Sequence, residues 1–178
     1  MTARLQYGTT AKMLHWLIVA LLVVQYLIGW FMPDVHRGME PAAPMIAHIS
    51  IGMTILVLIL LRLIWRLTHP VAPEGSLPPW QRLSSELVHW ALYALVLLTT
   101  LSGWLFVTAR GWVVNLFAVL PLPLLGAKDA VLVALDAKGH WHQVFEYALL
   151  ALIGAHVAAA LLHVFVYRDG VMRRMLRA

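Results

Sequence analysis

The residues most suited to chemistry are histidines, and two of them lie on one long apolar segment near the end of the chain. His142 and His156 are 14 residues apart in the sequence. A helix turns by roughly 100° per residue, so both imidazoles share one face to within about 40° and lie ~21 Å apart along the axis. Imidazole binds transition metals, and an ionisable group inside an apolar span is a functional candidate. The alternative is that both histidines only form hydrogen bonds to neighbouring helices.

The composition places this helix in a membrane. Of the 178 residues, 62% are hydrophobic and 12% are charged, whereas a soluble domain is about 45–50% apolar and about 25% charged. Cysteine is absent, which excludes disulfides, thiolate zinc sites and iron–sulfur clusters. Nine histidines therefore remain as the ligand type for a metal. The basic residues cluster at helix ends, which indicates orientation in a membrane and not binding to nucleic acid.

Four apolar segments are long enough to cross the ~30 Å hydrocarbon core. They predict an all-α transmembrane four-helix bundle, with helices at about 13–32, 45–65, 86–108 and 142–166. The whole chain, 1–178, is expected to be one domain. The connection at 66–84 holds four prolines and is predicted to be a loop. The apolar segment 112–127 is too short and too broken by proline to cross, and is predicted to lie on the membrane surface.

Lysine and arginine are distributed unequally between the two sides of this bundle. One side carries nine, namely Arg4, Lys12, Arg62, Arg66, Arg82, Arg168, Arg173, Arg174 and Arg177. The other side carries four, namely Arg37, Arg110, Lys128 and Lys138. Because cytoplasmic loops carry the excess of basic residues, both termini are expected in the cytoplasm.

The predicted topology sorts the histidines by depth. His15 and His156 fall near the inner surface, and His48 and His142 fall near the outer surface. Two histidines that face each other across a bundle are suited to bind haem iron as axial ligands. The sequence therefore predicts two haems, an inner one held by His15 and His156 and an outer one held by His48 and His142.

Three further residues are candidates for contacts with the haems. Gly52 follows His48 by four residues, and a flat porphyrin could approach the backbone there. An ordinary small residue at a helix contact is the alternative. Arg62 and Arg110 fall near the inner and outer haems and are candidate partners of their propionates. For Arg62, the alternative is a side chain that extends to the membrane surface.

The remaining histidines are interpreted as accessory or solvated. His89 and His163 fall near the inner surface, where either could donate a hydrogen bond or a proton at a quinone site. The simpler interpretation, which we favour, is a hydrogen bond to an interfacial carbonyl. Three others, in loops or at a helix edge, are expected in solvent, namely His36, His69 and His140.

Several segments resemble the bacterial cytochrome b561 family. They are YGTTAKMLHW at the start, APMIAHISIGMTILVLILLRLIWR in the second helix, Arg110–Gly111, and WHQVFEYALLALIGAHVAAALLHVFVYRDG near the end. The resemblance covers nearly the whole chain. The cytochrome b subunits of membrane hydrogenases and formate dehydrogenases are similar, including the 14-residue spacing in the last helix. The resemblance implies two b-type haems, with ligands at His15, His48, His142 and His156.

The same resemblance implies electron transfer across the inner membrane, to or from quinone. Stand-alone members of about this length are associated with oxidising periplasmic superoxide and reducing ubiquinone. An oxidoreductase of the superoxide:quinone type is therefore expected. Donor recognition is expected in the outer loop, Leu116–Lys138. Superoxide is an anion that four outer basic residues could steer locally, namely Arg37, Arg110, Lys128 and Lys138.

Two other functions are compatible with the sequence. The chain could be a haem-b subunit that anchors a hydrogenase- or formate-dehydrogenase-type complex. It could also be a haem-free membrane protein whose histidines carry protons or a transition-metal ion. A visible spectrum separates the second alternative from every haem-based function, because only a haem protein has a Soret band.

Overall fold

The structure is a computed structural model that describes residues 7–33, 39–72, 77–124 and 140–176. The four long helices are α1 (Thr9–Phe31), α2 (Ala43–Thr68), α3 (Pro79–Arg110) and α4 (His140–Leu162). Two short strands follow α3, β1 (Asn115–Leu116) and β2 (Leu120–Pro121). After α4 come a π-helical turn (His163–Tyr167) and α5 (Arg173–Leu176). In the described part of the chain, four helices are long and apolar enough to cross a membrane, as expected.

The long helices extend beyond the apolar windows that predicted them. α3 begins at Pro79 and not near residue 86, so part of the predicted loop is helical. Pro79 is its first helical residue, where the missing N–H has no intrahelical partner to lose. α2 likewise continues to Thr68. Apolar composition marks only the part of a helix that lies in hydrocarbon, whereas hydrogen bonding continues into the polar ends.

Consecutive long helices pack against each other, α1 on α2, α2 on α3 and α3 on α4. Their shared core contains residues from all four, and its buried members are Ile18, Ile55, Ile59, Tyr93, Val96 and Leu149. Leu149 is only 1% exposed and lies midway along α4 between His142 and His156. An apolar layer therefore separates the two histidine positions on this helix.

The segment after α3 folds over the end of the bundle instead of lying apart from it. β1 and β2 pair in antiparallel fashion, with Asn115 opposite Pro121. Trp112, Val114 and Leu122 are buried together with Met45, Ile49 and Val107 of the helices. The Phe117 N–H donates to the buried Ser50 hydroxyl of α2 at 3.0 Å. As far as its described residues extend, the predicted surface segment is thus a cap on the end of the bundle that the sequence predicts to be the outer one, and it is called the outer cap below.

The opposite end is closed by the C-terminal segment. The Trp16 indole N–H donates to the Met175 carbonyl at 3.3 Å, and the Arg174 guanidinium donates to the Ala72 carbonyl at 2.7 Å. The Asp169 carboxylate accepts from the Val171 N–H at 3.0 Å, which shapes the turn before α5. These bonds bring the start of α1, the end of α2 and the C-terminal segment to one end of the bundle.

Candidate functional site

The structure brings two of the predicted histidines together near the outer cap. His48 lies one turn inside α2 and His142 lies in the first turn of α4. Their ring centroids are 6.2 Å apart, and the rings are inclined by 81°. An imidazole nitrogen binds a transition metal at about 2.0 Å, so an ion held by both histidines would lie between the two rings. The spacing of the two rings therefore suits one metal ion between them.

His142 is held by α3. Its Nδ1 lies 2.9 Å from the Thr99 carbonyl and 3.4 Å from the Ser102 hydroxyl. A carbonyl only accepts hydrogen bonds, so Nδ1 carries the proton and Nε2 keeps its lone pair. Metal-binding histidines in proteins are usually oriented in this way by the second ring nitrogen.

Gly103 makes room for the ring of His142. A Cβ atom at Gly103 would lie 3.0 Å from Cε1 and 3.1 Å from Nδ1 of His142. Both distances are shorter than nearly all contacts of real Cβ atoms, so the ring would have to move. Sequence reasoning missed Thr99, Ser102 and Gly103. Their signal is a run of small and polar residues, TTLSG, in the middle of an apolar span.

His48 is packed differently, against α1. A Cβ atom at Gly29 would lie 3.6 Å from Cε1 of His48, which is an ordinary contact. The Gln25 amide N–H donates to the His48 backbone carbonyl at 3.0 Å. The same amide nitrogen lies 3.4 Å from the Cβ position of Gly52. Gly52 was predicted either as a point of close approach for a porphyrin or as an ordinary small residue at a helix contact, and in the structure it lies beside the Gln25 amide and lines the cavity described next.

A cavity of about 560 Å³ surrounds His48 and His142. This volume lies in the range of about 300–1,000 Å³ that is typical of small-molecule and cofactor sites. Its lining includes all three glycines named above and Arg110, whose guanidinium lies 4.9 Å from the centre of the Phe106 ring. The Nδ1 atom of His48 is buried there without a hydrogen-bond partner. Two imidazoles, a mostly apolar wall and an arginine fit an iron porphyrin with acidic propionates.

The outer cavity also contains polar groups that sequence reasoning did not assign. Tyr26 and Glu146 line it, and the Tyr26 hydroxyl donates to the Glu146 backbone carbonyl at 2.9 Å. This bond joins α1 to α4 across the bundle. Glu146 follows His142 by one helical turn, so its position on the cavity face could be read from the spacing.

Three histidines gather at the opposite end of the bundle, which the sequence predicts to be the inner one. They are His15 and His156, the predicted ligands of the inner haem, and His89, predicted at a similar depth in an accessory role. The rings of His89 and His156 have their centroids 5.4 Å apart and are inclined by 68°. The electrostatic neighbours of His15 are Arg62, His156 and His89. The Nδ1 atom of His89 lies 3.5 Å from the Ser85 hydroxyl. His89 therefore contacts His156, and it is hydrogen-bonded to the backbone of Ser85 as well as lying close to its hydroxyl.

The arginines of the inner end contact protein groups. The Arg62 guanidinium donates to the Ala11 backbone carbonyl. Arg66 lies over the rings of Trp90 and Tyr93, at 4.9 Å and 5.4 Å from their centres. Such cation–π contacts stabilise a charged side chain at the edge of an apolar region.

The structure also describes three of the remaining histidines. His163 pairs with the Asp169 carboxylate at 2.5 Å, where a hydrogen bond to an interfacial carbonyl was the interpretation favoured. His69 stacks on Trp65 with ring centroids 3.9 Å apart and is half-buried, whereas it was expected in solvent. His140 is exposed, as expected. His36 lies outside the described residues.

Four long apolar helices around half-buried histidine groups define a multi-pass helical membrane protein. A family model described as Prokaryotic cytochrome b561 matches residues 6–178. The chain belongs to this family, whose members bind haem b, and is a membrane b-type cytochrome.

Three curated proteins illustrate the relationship. Cytochrome b561 homolog 2 of Escherichia coli (strain K12) is 31% identical over 176 residues, covering 96% of this chain and 91% of the relative. The probable superoxide oxidase CybB of Yersinia pestis is 28% identical, covering 92% of this chain and 91% of the relative. Cytochrome b562 of Cereibacter sphaeroides is 29% identical and covers 99% of both chains.

Proposed function

We propose that this protein is a di-haem b-type cytochrome that carries electrons across the inner membrane between a periplasmic donor, superoxide, and the quinone pool. One observation supports this most strongly. His48 and His142 face each other at 6.2 Å in a cavity of about 560 Å³, and Nδ1 of His142 is already bonded to a carbonyl. A metal-binding pair needs this arrangement, whereas two histidines that only join helices do not.

We assign the outer site to His48 and His142 and the inner site to His15 and His156. Haem b supplies a one-electron redox centre at each site when it is bound. Arg110 belongs to the outer site, because it lines the cavity and carries the positive charge that propionates need. Arg62 belongs to the inner site, as an electrostatic neighbour of His15.

The residues between the two sites keep water out of the region that an electron would cross between the haems. Leu149, Ile55 and Val96 are buried in the apolar layer that separates the histidine groups. Such a layer excludes water and ions while leaving the two sites in one rigid bundle. Gly52 belongs to the outer site because it lines the same cavity as His48 and His142.

We place both termini in the cytoplasm and the whole chain in one transmembrane domain. The start of α1, the end of α2 and the C-terminal segment lie at one end, with Arg62, Arg66, Arg173 and Arg174 among their residues. Arg110 lies at the other end, beside the outer cap. This asymmetry supports the orientation because basic residues remain on the cytoplasmic side.

The donor assignment is supported by the outer site and by one relative. The relative from Yersinia pestis carries superoxide oxidase in its name, at 28% identity. Arg110 gives the outer cavity a positive charge that attracts a small anion. The other basic residues expected to steer superoxide lie outside the described residues, namely Arg37, Lys128 and Lys138.

The test is to add superoxide and then ubiquinone to the purified, haem-loaded protein and to follow haem reduction by its visible spectrum. A pulse of superoxide is expected to produce the reduced α band of both haems, and added ubiquinone is expected to remove it. In His142→Ala, superoxide is expected to produce no reduction, whereas quinol still reduces the remaining haem. Superoxide that leaves the wild-type haems oxidised contradicts the donor assignment. A large periplasmic subunit that co-purifies would favour the anchor-subunit alternative.

A further inference from the structure

Two buried polar atoms near His48 have no hydrogen-bond partner among the residues that the structure describes. They are Nδ1 of His48 and Oε1 of Gln25. Buried polar groups in proteins are nearly always satisfied, because an unpaired group loses its hydration and gains nothing in return. Such atoms indicate that a partner, or a different side-chain arrangement, is present in the functional state.

The two atoms have complementary chemistry. When Nε2 of a neutral imidazole binds a metal, Nδ1 carries the proton and becomes a donor. The oxygen of a glutamine amide is an acceptor. His48 Nδ1 therefore needs an acceptor, and Gln25 Oε1 needs a donor.

The backbone already places the Gln25 amide beside His48. The amide N–H donates to the His48 carbonyl at 3.0 Å. Gly29, one turn after Gln25 on α1, packs against the His48 ring, and its Cβ position lies 3.9 Å from Nδ1. Both residues line the outer cavity together with His48. The amide of Gln25 and the Nδ1 atom of His48 therefore lie at the same wall of the outer cavity.

We propose that Gln25 is a positioning residue of the outer site, whose amide oxygen accepts the Nδ1–H of His48 when that histidine binds haem iron. The inference rests on the proposed function. Gln25 would do for His48 what the Thr99 carbonyl does for His142 at 2.9 Å. Such outer-shell hydrogen bonds fix the tautomer and orientation of a ligand and raise its basicity.

A purely structural role makes a different prediction. The bond from the Gln25 amide N–H to the His48 carbonyl also ties α1 to α2. If that tie were the whole role, loss of the N–H would weaken the protein without changing the electronic state of the iron. The acceptor role concerns the oxygen, and it changes the redox potential because a more basic ligand favours the oxidised iron.

The experiment compares Gln25→Met with Gln25→Glu in the full-length, haem-loaded protein. Gln25→Met keeps the length of the side chain and removes both polar atoms, whereas Gln25→Glu keeps an acceptor and removes the amide N–H. Potentiometric titration measures the midpoint potential of each haem, and the inner haem serves as the internal reference. Thr54→Val is the control, since it removes a hydrogen bond from α2 to the Ser50 carbonyl.

We expect Gln25→Met to raise the midpoint potential of the outer haem alone and to weaken haem retention at that site by about 10–100-fold. Gln25→Glu is expected to hold the haem as wild type does, with a potential that is unchanged or lower. Thr54→Val is expected to leave both potentials in place. If Gln25→Met loses the outer haem completely, the result depends on Gln25→Glu. Retention of the outer haem in Gln25→Glu supports the inference, and its loss overturns the inference.

Equal behaviour of the two variants overturns the inference. This includes wild-type potentials in both, a parallel shift of both haems, or loss of the outer haem in both. These outcomes are distinct from failure of the proposed function, in which the wild-type protein itself binds no haem at His48 and His142.

Discussion

The two histidine groups are supported in different ways, although α3 contributes to both. At the outer group, α3 supplies a backbone carbonyl from Thr99 and the space left by Gly103. At the inner group, α3 supplies a third imidazole, His89, which packs against His156. The outer ring is thus oriented by groups that do not titrate, whereas the inner ring lies beside one that does. Although α3 carries no predicted ligand, it therefore determines the orientation and surroundings of the predicted ligands on α4.

The two histidine groups also differ in their surroundings. The outer group faces a cavity and is covered by the cap that follows α3. The inner group lies among cationic side chains, with Arg62 as an electrostatic neighbour of His15 and of His156. We interpret the outer group as the more completely preformed binding site. At the inner group, nearby arginine side chains influence the histidines more strongly.

The largest effect is expected from removing a ligand of the outer site. His142→Ala is expected to lose one of two haems, because His48 alone cannot bind iron from both sides. Haem content per chain, measured by the pyridine haemochrome assay, checks this. His140→Ala, at an exposed neighbouring position, is the control and is expected to keep both haems. Two haems retained in His142→Ala would show that the pairing with His48 is wrong.

The inner site can be tested by asking which imidazole pairs with His156. We expect His15→Ala to lose the inner haem and His89→Ala to keep both, since His15 lies at the matching depth on α1. The structure makes the comparison necessary because His89 and His156 are ring neighbours at 5.4 Å. Haem content and low-temperature spectra of the two variants give the answer. The reverse pattern would reassign the inner ligand to His89.

A smaller effect is expected from the glycine beside His142. Gly103→Ala places a methyl group 3.0 Å from Cε1 of the ring, so the ring must tilt away from its bond to Thr99. We expect outer-haem affinity to fall by about tenfold or more, as for other losses of ligand orientation. Gly154→Ala is the matched control on α4, because no side chain among the described residues lies within 4 Å of its Cβ position. Haem transfer to apomyoglobin measures both affinities, and equal affinities in the two variants would contradict the role of Gly103.

The smallest effect is expected at the outer cap. Ser50→Ala removes the hydroxyl that accepts the Phe117 N–H at 3.0 Å and leaves that donor without this partner. The expected cost is about 1–3 kcal/mol of stability. It should appear as faster hydrogen exchange of the cap and a lower thermal midpoint in detergent. Ser84→Ala removes an exposed hydroxyl that bonds within α3, and is the control with little expected change. Identical exchange in both variants would contradict docking of the cap on Ser50.

The sequence predicted the spans and the outer histidine pair from simple geometry. A 14-residue spacing places two imidazoles on one face of α4, and topology then matches them with His48 and His15 by depth. Helical periodicity compares positions along one helix, and the predicted topology compares the depths of residues on different helices. They gave four spans correctly, and they brought His48 and His142 to the same level, where the structure has them 6.2 Å apart.

Periodicity and depth did not predict which residues contact each other between helices. The partner of His142 is a backbone carbonyl of Thr99, and every residue has a carbonyl, so no residue type marks it. His89 was assigned a generic role because depth alone does not tell which helix faces which. The outer cap was read from its prolines and length, whereas its position follows from tertiary burial of Trp112 and Val114. Helix rotation and loop docking are properties of packing, and a single sequence does not encode them in its periodicity.

The central proposal, two haems held by four histidines, is tested most directly by the haem content of the purified wild-type protein. Pyridine haemochrome analysis combined with amino-acid quantification gives the number of b-type haems per chain. We predict two per chain, with two separate transitions in a potentiometric titration. A preparation from haem-replete cells that contains no haem, or a single haem that disappears only when inner histidines are replaced, would contradict the proposal.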